Sequence, residues 1–151
     1  MLALQAPGAR IIAMHAKIVP ITETLAVASQ ISADDIDEIA ALGYRTLINN
    51  RPDGEESGQL SSSEARTKAK AAGIAYHYLP FTAGTLTKAD IAAFDKLIAE
   101  AEGPVLAHCR SGTRCCLIWS AARLQDGASA ETLIAEGAAK GFEISALSRF
   151  A

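Results

Sequence analysis

The sequence predicts a single α/β domain with a largely parallel central sheet flanked by helices. Three observations predict it. Short β-branched or apolar runs alternate with stretches of helical spacing. Glycine, proline and Ser/Thr/Asp pairs punctuate the boundaries between them. A length of 151 residues suits one core of ordinary size.

The elements follow in order. Residues 17–29, KIVPITETLAVAS, are rich in β-branched side chains and predict one or two short strands. Ser32 with Asp35 opens a helix that sets Ile36, Ile39 and Ala40 on one face, and Gly43 stops it. Tyr44 to Ile48 is a strand running into the polar loop 49–56. A serine among Ser61, Ser62 and Ser63 caps a helix that ends near Gly73, and Ile74 to Leu79 is the next strand. After loop 80–86, Thr87 with Asp90 opens a helix carrying Ile91, Phe94 and Ile98. Gly103-Pro104 breaks it, and Val105 to His108 is a short apolar strand. Residues 115–124, CCLIWSAARL, are apolar nearly all round and predict a buried helix with Trp119 in the core; further helices are expected near 129–138 and 143–150. In sheets of this kind the site lies beyond the carboxyl ends of the strands, which selects loops 49–56, 80–86 and 109–114.

Composition bounds the function. Half the residues are apolar and 21% charged, as in an ordinary globular domain. A net charge of −3 argues against broad binding to nucleic acid or to acidic membranes, although one small anion can still be held by a local cluster of donors. Three cysteines, two of them adjacent, do not form a disulfide framework; free thiols in a reducing, cytoplasmic compartment are the simpler expectation. No apolar run approaches the roughly 18–20 residues of a membrane span. Residues 1–16 are expected to be an extension and 17–151 the catalytic domain; as a secretory signal the start is poor, because its arginine sits mid-segment. His15 and His77 share no metal-ligand pattern with cysteine or carboxylate, and no metal or cofactor is expected.

The chemistry concentrates where a strand ends in Cys109-Arg110-Ser111-Gly112-Thr113-Arg114 and the buried helix begins. A short turn from strand to helix leaves backbone N–H groups unpaired and pointing inward, with the positive end of the helix behind them. Gly112 lets the backbone turn, Arg114 can fork two N–H groups onto an oxyanion, Arg110 adds charge, and Ser111 and Thr113 offer hydroxyls. A thiol at the first position of such a loop ionises easily and becomes a nucleophile. Cys109 and Arg114 are therefore the expected catalytic pair, and residues 110–113 the anion-binding loop.

His108 through Arg114 resembles the active-site signature of the cysteine-dependent phosphatases and, equally, the persulfide loop of rhodaneses. More widely the chain resembles the bacterial β-lactamase-hydrolase-like family, whose phosphatase-like domain occurs alone or fused to persulfide dioxygenases. The matching stretches are Ala28-Ser29-Gln30-Ile31, Ile48 through Glu55 (INNRPDGE), Tyr76 through Phe81 (YHYLPF) and the cysteine loop, within roughly residues 17–125. The resemblance implies a fold like that of the dual-specificity phosphatases, with members assigned both as phosphatases and as sulfurtransferases.

Two features then favour sulfur over phosphorus. The phosphatases of this type have five residues between cysteine and arginine, whereas this loop has four, the size found in rhodaneses. The phosphatases also use an aspartate on a separate loop as general acid, whereas the corresponding residues 79–85, LPFTAGT, hold none, and Asp90 reads as a helix cap. The expectation is a sulfurtransferase moving a sulfane sulfur from thiosulfate or a persulfide to a low-molecular-weight or protein thiol through a Cys109 persulfide. The alternative is a phosphatase acting on a phosphorylated substrate through a Cys109 phosphocysteine, and the second alternative a non-catalytic module binding an anionic or phosphorylated partner. Four auxiliaries accompany the loop. Arg51 and Asp53, with Glu55 and Glu56 in the same turn, either orient Arg114, touch an acceptor or simply build a solvated turn. His108 either tunes the cysteine or is a buried strand residue. Cys115 either resolves the Cys109 chemistry or fills small apolar space beside Cys116.

Overall fold

Four-residue apolar strands with alternating faces build the centre of the molecule. The computed structural model describes residues 14–151. Its strands are β1 (Ile18–Pro20), β2 (Leu25–Ala28), β3 (Thr46–Asn49), β4 (Ala75–Tyr78) and β5 (Val105–His108). They form one sheet in the order β1-β2-β5-β3-β4, in which β1 is antiparallel to β2 and the other pairings are parallel. Segment 17–29 is thus two strands. The pleat sends Leu25, Val27, Ile48, Val105 and Ala107 to one face and Ala26, Ala28, Leu47 and Leu106 to the other.

Helices cover both faces. Helix α1 (Ala33–Ala41) and α2 (Ser62–Ala71) bury Ile36, Ile39, Ala65 and Ala69 against the second set. Helices α3 (Lys88–Glu100), α4 (Thr113–Gln125) and α5 (Ala130–Ala139) cover the first. Ser32 and Thr87 begin α1 and α3 with complete capping boxes to Asp35 and Asp90, and Ser61 caps α2. In α4 seven residues between Cys115 and Ala122 are buried, which fits a helix apolar all round. Trp119, expected in the core, is only partly buried and packs at its margin.

Three boundaries differ from expectation. The strand expected from Tyr44 starts at Thr46, because the Tyr44 amide closes the turn after α1 on the Ile39 carbonyl while Tyr44 stays buried. The segment near 143–150 is a 3-10 helix, Ser145–Phe150, six residues long and wedged against α4 by Leu147. The packed body reaches back to residue 14, earlier than the boundary expected at 17: the amides of His15 and Ala16 donate to the Asp35 carboxylate, and Met14 packs on the core. The rest of the expected extension, residues 1–13, lies outside the described residues. Among the described residues no helix is long and apolar enough to cross a membrane.

Parallel pairing of β2, β5 and β3 places their carboxyl ends side by side. Residues 29–30, 50–56 and 109–113 therefore gather at one end of the sheet, and the segment after β4 joins them.

Candidate active site

Cys109 follows β5 directly, and its own amide is spent on the sheet, donating to the carbonyl of Ala28. The chain then turns back on itself. Gly112 stands at φ +96° as the N-cap of α4, and a Cβ there would lie 3.0 Å from Cε1 of Phe142. Both the left-handed backbone and the phenyl ring against it require glycine. This turn aims the amides of Ser111, Gly112 and Cys115 at the Cys109 sulfur, and Gly112 N donates to Sγ at 3.1 Å.

Cys109 is buried, which by itself would keep the thiol protonated. Donors overcome this. The thiol of Cys115 contributes most, the backbone amides of Cys115, Ser111 and Gly112 add to it, and Cys109 titrates at about 6 instead of 9.0. Cys115 is the counterpart. It is fully enclosed at the start of α4, and burial together with the neighbouring Cys109 holds its own thiol protonated. Hydroxyl donors from the loop are absent here, since Ser111 Oγ and Thr113 Oγ1 face each other at 3.0 Å on the exposed side.

Arg114 lies in the first turn of α4, with Glu55 across from it. Nη1 donates to Oε2 at 3.0 Å and Nη2 to Oε1 at 2.8 Å, while Nη1 also reaches the Phe81 carbonyl at 3.3 Å. The end of the guanidinium is thereby occupied. Its side edge, formed by Nε and the outer hydrogen of Nη2, has no partner among the described residues and is the edge that suits two oxygens of an oxyanion.

Arg51 supports this arrangement from behind. It is 1% exposed, and its Nε donates to Glu55 Oε1 at 2.8 Å, Nη1 to Gln30 Oε1 at 3.0 Å and Nη2 to Glu56 Oε1 at 3.3 Å. Glu55 thus sits between two arginines. The hydrogen bonds from Arg114, then those from Arg51, outweigh its burial and hold its carboxyl at about 2. Arg51, Glu55, Glu56, Arg110 and Arg114 line an open cleft of about 440 Å³.

Other expected residues are placed elsewhere. Asp53 is not part of this cleft. Its carboxylate accepts from Ser62 N at 2.8 Å and Ser62 Oγ at 2.6 Å, tying the loop to the start of α2, while its amide donates to Tyr78 Oη. Asp90 is fixed in the capping box of α3, accepting from Thr87 N at 3.0 Å. His108 is fully buried; burial, with the charge of Arg51 behind it, outweighs a hydrogen-bonding contribution from the Cys109 backbone, lowers it to about 4 and keeps it neutral. Cys116 is buried against Ser120. No group of three potential metal ligands occurs among the described residues.

The role of Gln30 and of the Phe81 carbonyl escapes sequence reasoning. Glu55 stood there as one of four charged residues in a turn. The spacing of Arg51 and Glu55, four apart, is the signal that could have singled the pair out.

With the geometry in place, comparison with known proteins is direct. Residues 17–127 match the family model for the phosphatase-like domain of beta-lactamase hydrolase-like proteins. The chain is 41% identical over 129 residues to a beta-lactamase hydrolase-like protein of Xylella fastidiosa and 40% identical over 135 residues to one of Agrobacterium fabrum. These alignments cover 85% and 89% of this chain but only 30% and 31% of the relatives. A solved Neisseria meningitidis protein described as a candidate phosphatase superposes with a TM-score of 0.79 at 36% identity, covering 88% of this chain and 95% of that one. Pseudomonas aeruginosa TpbA, solved with phosphotyrosine, shares the fold at a TM-score of 0.61 and 21% identity, over 79% of this chain and 70% of that one. The fold is that of the cysteine-dependent phosphatases, and the chain belongs to the beta-lactamase hydrolase-like family, whose phosphatase-like domain it carries.

Proposed function

We propose that this domain is a cysteine-dependent phosphoric monoester hydrolase working through a Cys109 phosphocysteine. The observation that carries the reading is a thiol titrating at about 6 beside a cleft lined by three arginines. The free edge of Arg114 and the loop amides suit the oxygens of a phosphoryl group. The thiolate attacks phosphorus, the bond to the leaving oxygen breaks, and that oxygen takes up a proton. Water then attacks phosphorus, the P–S bond breaks, a proton is released and the thiolate returns. The likeness to the Neisseria meningitidis protein, at 36% identity, supports phosphate as the substrate group, and the phosphotyrosine seen in TpbA is consistent with an aryl ester.

This reverses the order expected from the sequence, which set sulfur transfer first. Sulfur transfer keeps one specific support: four residues separate Cys109 from Arg114, and Asp90, the nearest acid to loop 79–85, is committed to a helix cap. In that reaction the thiolate attacks the sulfane sulfur of thiosulfate, the S–S bond breaks and sulfite departs; a thiolate or cyanide then removes the sulfur from the Cys109 persulfide. A thiol acceptor belongs only to this second reading. A purely binding module has no use for the lowered thiol.

One pair of assays tests the choice. Hydrolysis of 4-nitrophenyl phosphate is measured beside thiocyanate formation from thiosulfate and cyanide, each with the Cys109→Ser variant as control. Phosphate release that disappears in Cys109→Ser is the expected result. Thiocyanate without phosphate release would overturn it in favour of sulfur.

A further inference from the structure

The cleft beside Cys109 holds two carboxylates, and arginines occupy both. Glu55 is gripped by Arg114 and Arg51, and Glu56 accepts from Arg51 at 3.3 Å. A carboxylate that accepts from arginine is stabilised in its charged form. Asp53 holds Ser62, Asp90 caps α3, and residues 79–85 carry no carboxyl group. Burial keeps His108, beside the nucleophile in the chain, neutral. A leaving oxygen at this site must therefore depart with its electron pair and without a proton from any of these groups. Alkoxides and phenoxides do so poorly. The oxygen of a phosphate group does so readily, because its charge spreads over further oxygens.

The charges of the cleft point the same way. Three guanidinium groups line it against two carboxylates, with no aromatic or aliphatic side chain to receive a phenol ring. Arg51 is spent on Glu55, Glu56 and Gln30, and Arg114 on Glu55 and the Phe81 carbonyl apart from its free edge. Arg110 is the cation in excess. It is exposed, and among the described residues no carboxylate lies within ion-pair distance of it. Its backbone is fixed beside the nucleophile, where its carbonyl accepts from the Gln30 amide at 3.0 Å. A cleft of about 440 Å³ is far larger than one phosphoryl group. A second anionic group of the same substrate has room there and a guanidinium to meet.

We propose that the preferred substrate is a phosphoric anhydride, an organic or inorganic diphosphate, and that Arg110 holds the departing phosphate. The inference rests on the hydrolase reading given above and narrows it from esters to anhydrides. The Cys109 thiolate attacks the terminal phosphorus, whose oxygens lie between the loop amides and the free edge of Arg114. The bond to the bridging oxygen breaks, and the electron pair leaves on the second phosphate group, against Arg110. Water then attacks the phosphocysteine, the P–S bond breaks, the thiolate returns and a proton passes to solvent. The products are orthophosphate and the phosphate that left first. No step draws on a side-chain acid.

The test measures kcat/KM, which reports attack by the thiolate, for inorganic pyrophosphate, 4-nitrophenyl phosphate and phenyl phosphate in the presence of EDTA. Nitrophenolate leaves about as readily as phosphate but brings no second anionic group, whereas phenolate leaves poorly. Wild type should cleave pyrophosphate fastest, and phenyl phosphate about 100-fold more slowly than the nitrophenyl ester, the scale of a missing general acid. Arg110→Ala should lower the pyrophosphate value roughly 10- to 100-fold more than the nitrophenyl value, the scale of a charged hydrogen bond, and Arg110→Lys should recover part of the difference. Equal losses on the two substrates would place Arg110 on the transferred phosphoryl group and overturn its assignment. Phenyl phosphate cleaved as fast as the nitrophenyl ester would reveal a proton donor and overturn the argument for an anhydride. So would pyrophosphate cleavage that survives Cys109→Ser. A pyrophosphate value below the nitrophenyl value overturns the anhydride and leaves the hydrolase reading standing, and a wild-type protein that cleaves none of the three overturns both. The Arg110 side chain is exposed, so its variants retain the fold, which their melting temperatures verify.

Discussion

Glu55 holds Arg114 by the end of its guanidinium, through paired hydrogen bonds of 3.0 and 2.8 Å. The grip fixes which edge of the arginine faces the cleft. Replacing Arg114 by lysine keeps a charge and loses the planar fork, and is expected to lower kcat/KM for 4-nitrophenyl phosphate by roughly 1.5–3 kcal/mol, the scale of a charged hydrogen bond. Glu55→Gln offers only one acceptor and leaves two arginines facing each other, so a loss of similar size is expected. An unchanged kcat/KM in Arg114→Lys would show that the fork does not hold the substrate.

Cys115 is expected to control the reactivity of Cys109. Its thiol is the largest contributor to the lowered titration of Cys109 at about 6. The rate of alkylation by iodoacetamide, followed from pH 4 to 10 and read at Cys109 by peptide mapping, should rise with a midpoint near 6 in the wild type. Cys115→Ala removes the donor, and the midpoint should move toward the ordinary thiol range. Cys115→Ser restores a donor and should leave the midpoint near its wild-type position. Identical profiles for all three would remove Cys115 from this role.

His108 makes stability depend on pH. Burial depresses its proton affinity from the ordinary 6.5 to about 4, so the unfolded chain takes up a proton that the folded chain refuses. The contribution of the neutral ring to stability is complete above pH 6.5 and is lost as the pH falls toward 4, by on the order of 3 kcal/mol for a shift of this size. The melting temperature should fall over that window. In His108→Leu, which suits an apolar strand, the slope across the same window should be flatter; an unchanged slope would assign it to other groups.

Asp90→Ala separates a cap from a catalyst. Loss of half the capping box should cost about 1 kcal/mol of stability, measured by urea denaturation. Turnover of phenyl phosphate per folded molecule should stay at the wild-type level. A hundredfold loss there, with little change in stability, would make Asp90 the acid.

The parts of this structure that were legible in the sequence are those set by local pattern. The β5–loop–α4 unit announced itself because a strand, a glycine and a helix follow one another within a few residues of Cys109, and the amides that surround the sulfur come from that same stretch. The capping boxes at Ser32 and Thr87 were legible for the same reason. Relations across the sheet were not. Gln30 meets Arg51 because β2 and β3 flank β5, and Phe142 covers Gly112 because the segment after α5 folds back over α4. Asp53 belongs to a stretch rich in charge, and only the position of α2 turns its carboxylate toward Ser62 and away from the cleft. Trp119 misled because an all-round apolar pattern does not show which side of α4 lies at the margin of the core, where Arg123 covers the indole.

The pair that orients the arginine joins residues 59 positions apart, and it does so across β3 and β5, neighbours in the sheet with α2, β4 and α3 between them in the chain. Parallel strands so connected meet only after a long loop has closed, which makes their pairing a late and slow event. The thiol and its amides belong to one local turn, but the arginine gains its orientation only when the whole sheet is in place. Recovery of activity in refolding should therefore keep time with the global transition, and a chain whose sheet is only partly formed would carry the nucleophile without the means to hold its substrate.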